Sequence, residues 1–145
     1  MRPDGTDPVD LGAVQVPYTE PVRSPDGRNV AFSGDGGTGD GGSDLGTGLI
    51  LLDLATGQRR QLTTRGETGA IWSPDGTKLL ASLPSVGVYV VDAATGHLIT
   101  SIADSEAQDT VGWTSDGASI IYMSCFPQPS GSTCDPGPAE ADLSG

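Results

Sequence analysis

The sequence predicts an all-β fold built from repeated four-stranded antiparallel units, and three observations support this. The turn motif Ser-Pro-Asp-Gly occurs at 24–27 and 73–76, and a Thr-Ser-Asp-Gly variant occurs at 114–117. An apolar run of strand length follows each turn, as in a β-hairpin. The 145 residues include 22 glycines and 11 prolines, a composition that favours many tight turns over long helices. Recurrence of one unit along a chain is typical of repeat architectures, so the repetition decides the fold class.

The second repeat shows the predicted unit most clearly. Residues 69–73 form a short strand that enters the Ser-Pro-Asp-Gly turn, and residues 77–83 form the apolar strand that leaves it. The β-branched run 87–92 predicts a third strand. After an Ala-Ala-Thr-Gly turn, the alternating segment 97–102 predicts an outer strand. Four short antiparallel strands within about 40 residues make one blade of a β-propeller.

The first repeat has the same parts and carries an insertion. Residues 49–57 match residues 88–96, including the aspartate that ends the third strand and the Thr-Gly of the following turn. A segment rich in glycine and aspartate, 34–48, separates the second strand from the third. A loop at this position tolerates extra length at low free-energy cost, so the insertion leaves the blade intact.

The third repeat is incomplete in the sequence. Residues 109–114 and 118–124 predict its first two strands, a cysteine-containing loop follows, and residues 136–145 are too short and polar to supply strands three and four. We therefore expect an all-β, partial β-propeller of about two and a half to three four-stranded antiparallel blades. The expected division is an N-terminal extension or a strand of an adjoining blade at 1–17, blade 1 at 18–68, blade 2 at 69–108 and the incomplete blade 3 at 109–145.

At residues 72–81 and 88–96 the sequence resembles the TolB-like, PD40-type (WD40-like) β-propeller repeat, and the resemblance extends over about residues 18–124. Similar repeats occur in periplasmic TolB-like proteins, in the propellers of prolyl-oligopeptidase-type peptidases and in sensor domains of membrane proteins. The resemblance implies three alternative functions. We favour a non-catalytic protein-interaction or scaffold module over the substrate-gating propeller of a serine peptidase without its hydrolase domain, and over the ligand-sensing ectodomain of a membrane receptor.

Two residues depart from the repeat. Arg23 stands where the second and third repeats have tryptophan, and Ser115 stands where the first two have proline. Both departures indicate repeats that lie near an edge or are degenerate. Because propellers typically close with at least about four blades, this chain needs remaining blades or self-association to close a ring. We expect a fragment of a longer propeller.

Aspartates and tryptophans recur at equivalent positions, for which a structural role is expected. The aspartates should accept hydrogen bonds from turn N–H groups rather than catalyse a reaction or bind a metal. They are Asp26, Asp75 and Asp116 in the first turn of each repeat, and Asp53 and Asp92 in the second turn. Trp72 and Trp113 should pack between neighbouring blades.

The sequence offers little support for catalysis or for a bound metal. His97 is the single histidine, it begins an outer strand, and no Gly-x-Ser-x-Gly motif is present, so we expect no enzyme, no catalytic residue and no cofactor. Asp35, Asp40 and Asp44 in the insertion are candidate Ca²⁺ ligands. Their spacing fits neither the EF-hand nor the Gly-Gly-x-Gly-x-Asp pattern, which favours a mobile linker loop without metal.

The charge balance bears on the choice of partner. Seven basic against 19 acidic residues give a net charge of −12, which argues against nucleic acid and against an anionic membrane surface. No apolar run of about 18 residues could insert into a bilayer. The connections that enter the innermost strands are acidic, apart from Arg65, and predict an acidic face around the channel mouth that binds a basic protein or peptide. Its residues are Glu20, Glu67, Asp104, Glu106 and Asp109.

The two cysteines bear on localisation. Cys125 and Cys134 flank a turn-rich loop, and we expect a disulfide between them, which would imply an oxidising compartment. The first residues lack the apolar segment of a signal peptide. Together with the TolB-like resemblance, the cysteines favour a periplasmic or extracellular location, with any export signal outside this chain.

Overall fold

A computed structural model describes residues 15–17, 20–35, 47–83, 87–102, 109–127 and 134–143. Within this part the chain forms strands and no helix, which confirms the predicted all-β class. It follows that no helix of the described residues could span a membrane. The strands are β1 (Gln15–Pro17), β2 (Val22–Arg23), β3 (Asn29–Asp35), β4 (Thr47–Asp53), β5 (Arg59–Gln61), β6 (Thr68–Trp72), β7 (Lys78–Leu83), β8 (Gly87–Asp92), β9 (Leu98–Ile102), β10 (Asp109–Trp113), β11 (Ser119–Pro127) and β12 (Cys134–Asp142).

The strands form three antiparallel sheets that follow one another along the chain. The second sheet has the order β6-β7-β8-β9, which is the predicted four-stranded blade. The third has the order β10-β11-β12. In the first sheet β3, β4 and β5 follow in order, while β1 and β2 pair with different parts of β3 and together occupy the innermost position. The partial propeller predicted from the sequence is therefore confirmed.

Strand β1 settles where residues 15–17 belong. Gln15 pairs with Asp35, and Pro17 pairs with Gly34, so these residues lie in the first sheet. The sequence had left open an N-terminal extension or a strand of an adjoining blade. The insertion after β3 is also shorter than the predicted segment 34–48, because β3 extends to Asp35 and β4 begins at Thr47. The residues between them lie outside the described part.

Strand β12 corrects the expectation that residues 136–145 supply no third strand. It pairs with β11 over its whole length, from Ser119 opposite Asp142 to Pro127 opposite Cys134. Pro136 and Pro138 are two residues apart, so both lack an N–H on the same side of the strand. Within the described residues β12 pairs with β11 alone, so N–H groups missing from its other edge leave no hydrogen bond between strands unmade. The third sheet is a blade that lacks a described fourth strand.

The end of β12 repeats a feature of the other two blades. Asp53, Asp92 and Asp142 lie opposite Asn29, Lys78 and Ser119 in their respective sheets. The next residue in each blade donates its N–H to the turn between strands one and two, at 2.9 Å in every case. The donors are Leu54, Ala93 and Leu143, and the acceptors are the carbonyls of Arg28, Thr77 and Ala118. The three blades can therefore be aligned residue by residue.

Alternation along the strands divides the apolar side chains between the two faces of each sheet. Leu49 and Leu51 of the first sheet meet Leu79 and Val91 of the second in one buried cluster. Leu80, Val88 and Val90 on the opposite face of the second sheet meet Ile120 and Tyr122 of the third in another. Burial of such a side chain stabilises the fold by roughly 1.5–3 kcal/mol, so these two interfaces hold the blades together.

A hydrogen bond crosses each of these interfaces. The indole Nε1 of Trp72 donates to the carbonyl of Val22 in the preceding blade at 3.0 Å. Nε1 of Trp113 donates to the carbonyl of Ile71, the equivalent acceptor one blade further on, at 3.1 Å. Both tryptophans pack against the apolar clusters, which confirms that they lie between neighbouring blades.

The substitution Trp72→Phe tests this bond. It keeps an aromatic ring but leaves the Val22 carbonyl without its donor, so we expect the free energy of unfolding to fall by about 1 kcal/mol. Trp72→Ala also removes the packed ring and should cost about 3 kcal/mol or more. Urea unfolding followed by circular dichroism measures both values. An unchanged midpoint for Trp72→Phe would contradict a stabilising bond.

Candidate functional site

Each blade has two ends, which are defined by the directions of its strands. The turns between strands one and two and between strands three and four lie at one end, here called the turn end. The connections that enter each innermost strand lie at the opposite end, called the entry end. Of these connections the described residues include 20–21, before β2, and 62–67, before β6. The connection before β10 lies outside them.

The connection 62–67 is held by a network around one carboxylate. Oε2 of Glu67 accepts a hydrogen bond from the Thr63 hydroxyl at 2.8 Å and from the Arg65 backbone N–H at 3.0 Å. The Thr63 hydroxyl oxygen in turn accepts from the Leu49 N–H of β4 at 3.0 Å. Gly66 supplies the positive φ of +81° that turns the chain back towards Thr63. The loop is thus tied to the first blade while it enters the second.

Glu67 is fully buried, and its second oxygen lies beside a cation. Oε1 has no hydrogen-bond partner among the described residues, and Nη1 of Arg65 lies 3.8 Å away. The Arg65 side chain is 45% exposed, and its guanidinium carbon lies 5.8 Å from the centre of the Tyr89 ring. Such a distance allows a cation–π contact. The buried carboxylate therefore positions an arginine that shares the surface with a tyrosine.

This geometry changes the acidic face predicted from the sequence. Glu20 is exposed at the entry end, as expected. Contrary to expectation, Glu67 is fully buried, because its carboxylate folds back onto the loop that carries it. Asp109 is the first residue of β10, and its side chain lies outside the described part. Asp104 and Glu106 also lie outside it, so their place in an acidic face stays a prediction.

The sequence named Arg65 as the cation among acidic loops but missed Thr63 and Tyr89. Thr63 could have been suspected, since a threonine four residues before a glutamate within a short loop is well placed for a local hydrogen bond. Tyr89 lies on β8, far along the chain from Arg65, and a single sequence carries no signal of that contact.

The recurrent turn aspartates have the structural role that was expected. In each first turn a hydroxyl donates to the aspartate, from Ser24 to Asp26 at 2.6 Å and from Ser73 to Asp75 at 2.6 Å. Thr114 replaces the serine in the third blade and donates to Asp116 at 2.7 Å. These hydrogen bonds to the charged form lower the pKa of all three carboxyl groups.

The second turns are built in the same way. Asp53 accepts from the N–H groups of Ala55 and Thr56, and Asp92 accepts from those of Ala94 and Thr95. The pKa of both carboxyl groups is lowered, chiefly by the backbone N–H of Thr56 for Asp53 and by the Thr95 hydroxyl for Asp92. The Oδ1 atoms of both aspartates accept hydrogen bonds within the turns, which argues against a metal or catalytic role.

A cleft of about 380 Å³ lies between the first two blades at the turn end, with Arg60, Trp72 and Asp92 in its wall. Nη2 of Arg60 donates to the Ala93 carbonyl at 3.1 Å across the interface. The polar groups of the cleft thus serve the junction between blades and the turn, so the entry end is the better candidate for a binding surface.

The remaining candidates have the following places. His97 is exposed at the turn end, before β9. Asp35 ends β3 with its side chain outside the described part, and Asp40 and Asp44 lie outside it altogether. Cys125 on β11 lies opposite Pro136, and Cys134 begins the neighbouring strand β12. The side chains of both cysteines lie outside the described part, so the disulfide stays a prediction.

The sheets and the junctions between them define a β-propeller segment. Its blades are TolB-like: the chain is similar to the crystal structure of TolB from Acinetobacter baumannii, with a TM-score of 0.61 and 26% identity, over 87% of this chain and 30% of that one. It is also similar to oligogalacturonate lyase from Vibrio parahaemolyticus, with a TM-score of 0.61 and 21% identity, over 90% of this chain and 38% of that one.

The tricorn protease shares the fold as well, with a TM-score of 0.60 and 18% identity, over 83% of this chain and 12% of that one. The chain spans 30% of the length of the TolB structure and 38% of the length of the lyase. At these identities the lyase and the protease show the fold alone. No family model matches the chain, and no curated protein matches it.

The variant Glu67→Ala tests the framework role of the buried carboxylate. It leaves the Thr63 hydroxyl and the Arg65 N–H without their acceptor, so the free energy of unfolding should fall by about 2 kcal/mol. Glu20→Ala removes an exposed carboxylate from the same end and should change it by less than about 0.5 kcal/mol. Equal effects of the two substitutions in urea unfolding would argue against the framework role.

A pH dependence follows from Asp75, whose pKa falls from the ordinary 3.8 to about 2, chiefly because the Ser73 hydroxyl donates to the carboxylate. The folded-state pKa lies below the unfolded value, so the stabilisation is present above pH about 4 and is lost as the pH falls towards 2. The Asp75→Asn variant should have a lower free energy of unfolding than the wild type at pH 7. This difference in free energy should shrink as the pH falls from about 4 towards 2.

Because the Asp75 side chain is 57% exposed, solvent screening should hold the difference below about 1 kcal/mol. Unfolding by urea at intervals between pH 7 and pH 2 measures it. Ser73→Ala removes the main donor and should raise the pKa of Asp75 in an NMR titration of the carboxyl group. Parallel stability curves for wild type and Asp75→Asn would contradict the assignment.

Proposed function

We propose that this chain is a non-catalytic propeller segment that binds a protein or peptide through the entry end of its blades. The observation that carries the proposal is the connection 62–67, in which a fully buried Glu67 fixes a loop that presents Arg65 beside Tyr89. Arginine and tyrosine are enriched among the residues that dominate binding energy at protein interfaces. A loop that is already ordered also loses little conformational entropy on binding.

The charge of the molecule favours a partner with basic residues. The net charge of −12 creates a negative field that attracts a basic chain, and Glu20 is exposed beside the same end. Arg65 adds a cation to this surface, so the partner should place a carbonyl, a carboxylate or an aromatic ring at that position. We therefore propose a basic peptide with one acceptor or aromatic group as the preferred ligand.

A non-catalytic role and a location outside the cytoplasm complete the proposal. His97, the single histidine of the sequence, is exposed at the turn end, opposite the proposed binding surface. The TolB-like blades and the two cysteines on neighbouring strands support a periplasmic or extracellular location.

Selection of peptides from a random displayed library on the immobilised chain tests the proposal. We expect enriched peptides to be rich in lysine and arginine and to bind less tightly as salt increases. Arg65→Ala should weaken their binding at least about fivefold, as for a residue central to an interface. Arg28→Ala, an exposed arginine at the turn end, is the matched control and should have no effect.

Fluorescence polarisation with a labelled selected peptide gives the affinities, and mass spectrometry of the incubated peptide checks that it stays intact. Equal affinities for Arg65→Ala and Arg28→Ala would contradict the proposed surface. Cleavage of the peptide by the purified chain would contradict the non-catalytic role.

A further inference from the structure

The cleft between the first two blades is open because of one small residue. Leu54, Ala93 and Leu143 are equivalent, since each follows the aspartate that ends the third strand and donates its N–H to the turn between strands one and two. Both leucines pack against apolar clusters. Ala93 is buried as well, but its side chain ends at Cβ, and it lines the cleft of about 380 Å³. An alanine where the other blades have leucine thus leaves a space between these two blades.

A second difference between the blades adds a charge to this space. The third residue after the glycine of the second turn is Arg60 in the first blade and Ile99 in the second. Arg60 lines the cleft, and its Nη2 donates to the Ala93 carbonyl at 3.1 Å. Ile99 is 49% exposed and has no polar group in its side chain. The arginine therefore gives the cleft a cation that the repeat itself does not require.

The wall of the cleft keeps polar groups that the blades do not use. A guanidinium has five N–H donors, and among the described residues Arg60 uses Nη2 alone. Asp92 is bound to its turn through Oδ1, which accepts from Ala94 and Thr95, whereas no hydrogen bond of the described part reaches its Oδ2. The hydrogen bonds of Asn29 that the structure describes use its backbone N–H and carbonyl. Donors and acceptors thus remain for a ligand.

The indole of Trp72 supplies the apolar part of the wall. Its Nε1 donates to the Val22 carbonyl, so the ring presents its carbon surface to the cleft and no free donor. Trp72 is half-buried and packs against the cluster that contains Leu51, which also lines the cleft. An aromatic surface beside a few polar groups is the usual composition of a small-molecule site.

The charges of the wall decide between classes of ligand. Arg60 disfavours a cation, while Asp92 and the net charge of −12 disfavour an anion. A neutral ligand is therefore favoured. It should both donate and accept hydrogen bonds, and it should have an apolar face for Trp72. A sugar ring meets these requirements, because each hydroxyl donates and accepts and one face of the ring carries C–H groups.

We propose that this cleft binds a neutral saccharide, with a sugar ring on the Trp72 indole and its hydroxyl groups on Arg60 and Asp92. The volume of about 380 Å³ lies within the range of small-molecule sites, roughly 300–1,000 Å³. The described wall belongs to the first two blades alone, so the site does not depend on which blades adjoin them. It lies at the turn end and goes beyond the proposed peptide-binding surface, which lies at the entry end.

An NMR titration of the full chain tests the inference, because its two tryptophans report on the two junctions. The probes are glucose, galactose, mannose and maltose, with galacturonate and protonated glucosamine as charged counterparts. We expect a neutral sugar to shift the indole N–H signal of Trp72 in a saturable manner and to leave that of Trp113 unchanged. The spectrum of Trp72→Phe, which lacks one of the two signals, assigns them.

The variant Ala93→Leu gives the sharpest comparison, since it fills the cleft with the residue that the other blades carry. It should raise the dissociation constant of the sugar at least about tenfold, because the side chain takes the place of the ligand. The urea midpoint should stay the same or rise, as is common when a cavity is filled. Arg60→Ala should raise the dissociation constant roughly tenfold. Ile99→Ala, the counterpart in the second blade, should leave it unchanged.

Several results would overturn the inference. One is a Trp72 signal that no neutral sugar of the panel shifts, and another is an equal shift of both tryptophan signals. Tighter binding of galacturonate or protonated glucosamine than of every neutral sugar would contradict the ligand class. Equal affinities of wild type and Ala93→Leu would contradict the site. Peptide binding is measured separately through Arg65, so failure of either proposal is recognised without the other.

Discussion

The hydrogen bond from the Trp72 indole to the Val22 carbonyl is the contact that the blade array depends on most. A β-sheet leaves its relation to the next sheet undefined, because apolar faces can slide over each other with little change in buried area. One directional bond, repeated by Trp113 and Ile71, fixes the position of each blade on the one before it. The apolar clusters then supply most of the stabilisation, and the bond supplies the register.

Local chemistry explains why the blades could be predicted from the sequence. The turn residues act within a few positions of one another: the Ser73 hydroxyl binds Asp75, and Gly76 has a φ of +71°. Such features repeat visibly, and alternation in the flanking strands follows from them. The sequence does not predict β12, because its prolines and small residues have low strand propensity. Its conformation is decided instead by its pairing with β11. The Asp-Leu at its end repeats Asp53-Leu54 and was the available signal.

The candidate site was harder to predict, because composition does not show which charges are buried. The sequence placed Glu67 on an acidic surface, yet its carboxylate is needed inside, where it accepts from the Thr63 hydroxyl and the Arg65 N–H. An unpaired buried carboxylate would be costly, so its burial brings the Arg65 guanidinium close. The loop therefore exposes a cation at the point where the sequence alone predicts an anion. The net charge describes the electrostatic field at a distance from the molecule, but it does not show which charges a single loop buries or exposes.

Alignment of the blades gives the departures from the repeat their meaning. A substitution such as tryptophan to arginine at position 23 would count as simple decay if it stood alone. Here the Arg23 guanidinium donates to the carbonyl of Gly27 in its own turn and lies in the space beside that glycine. At the two internal junctions the equivalent space beside Gly76 and Gly117 is taken by Pro25 and Pro74 of the preceding blade, so the arginine fills from within its own blade the place that a neighbouring proline fills elsewhere.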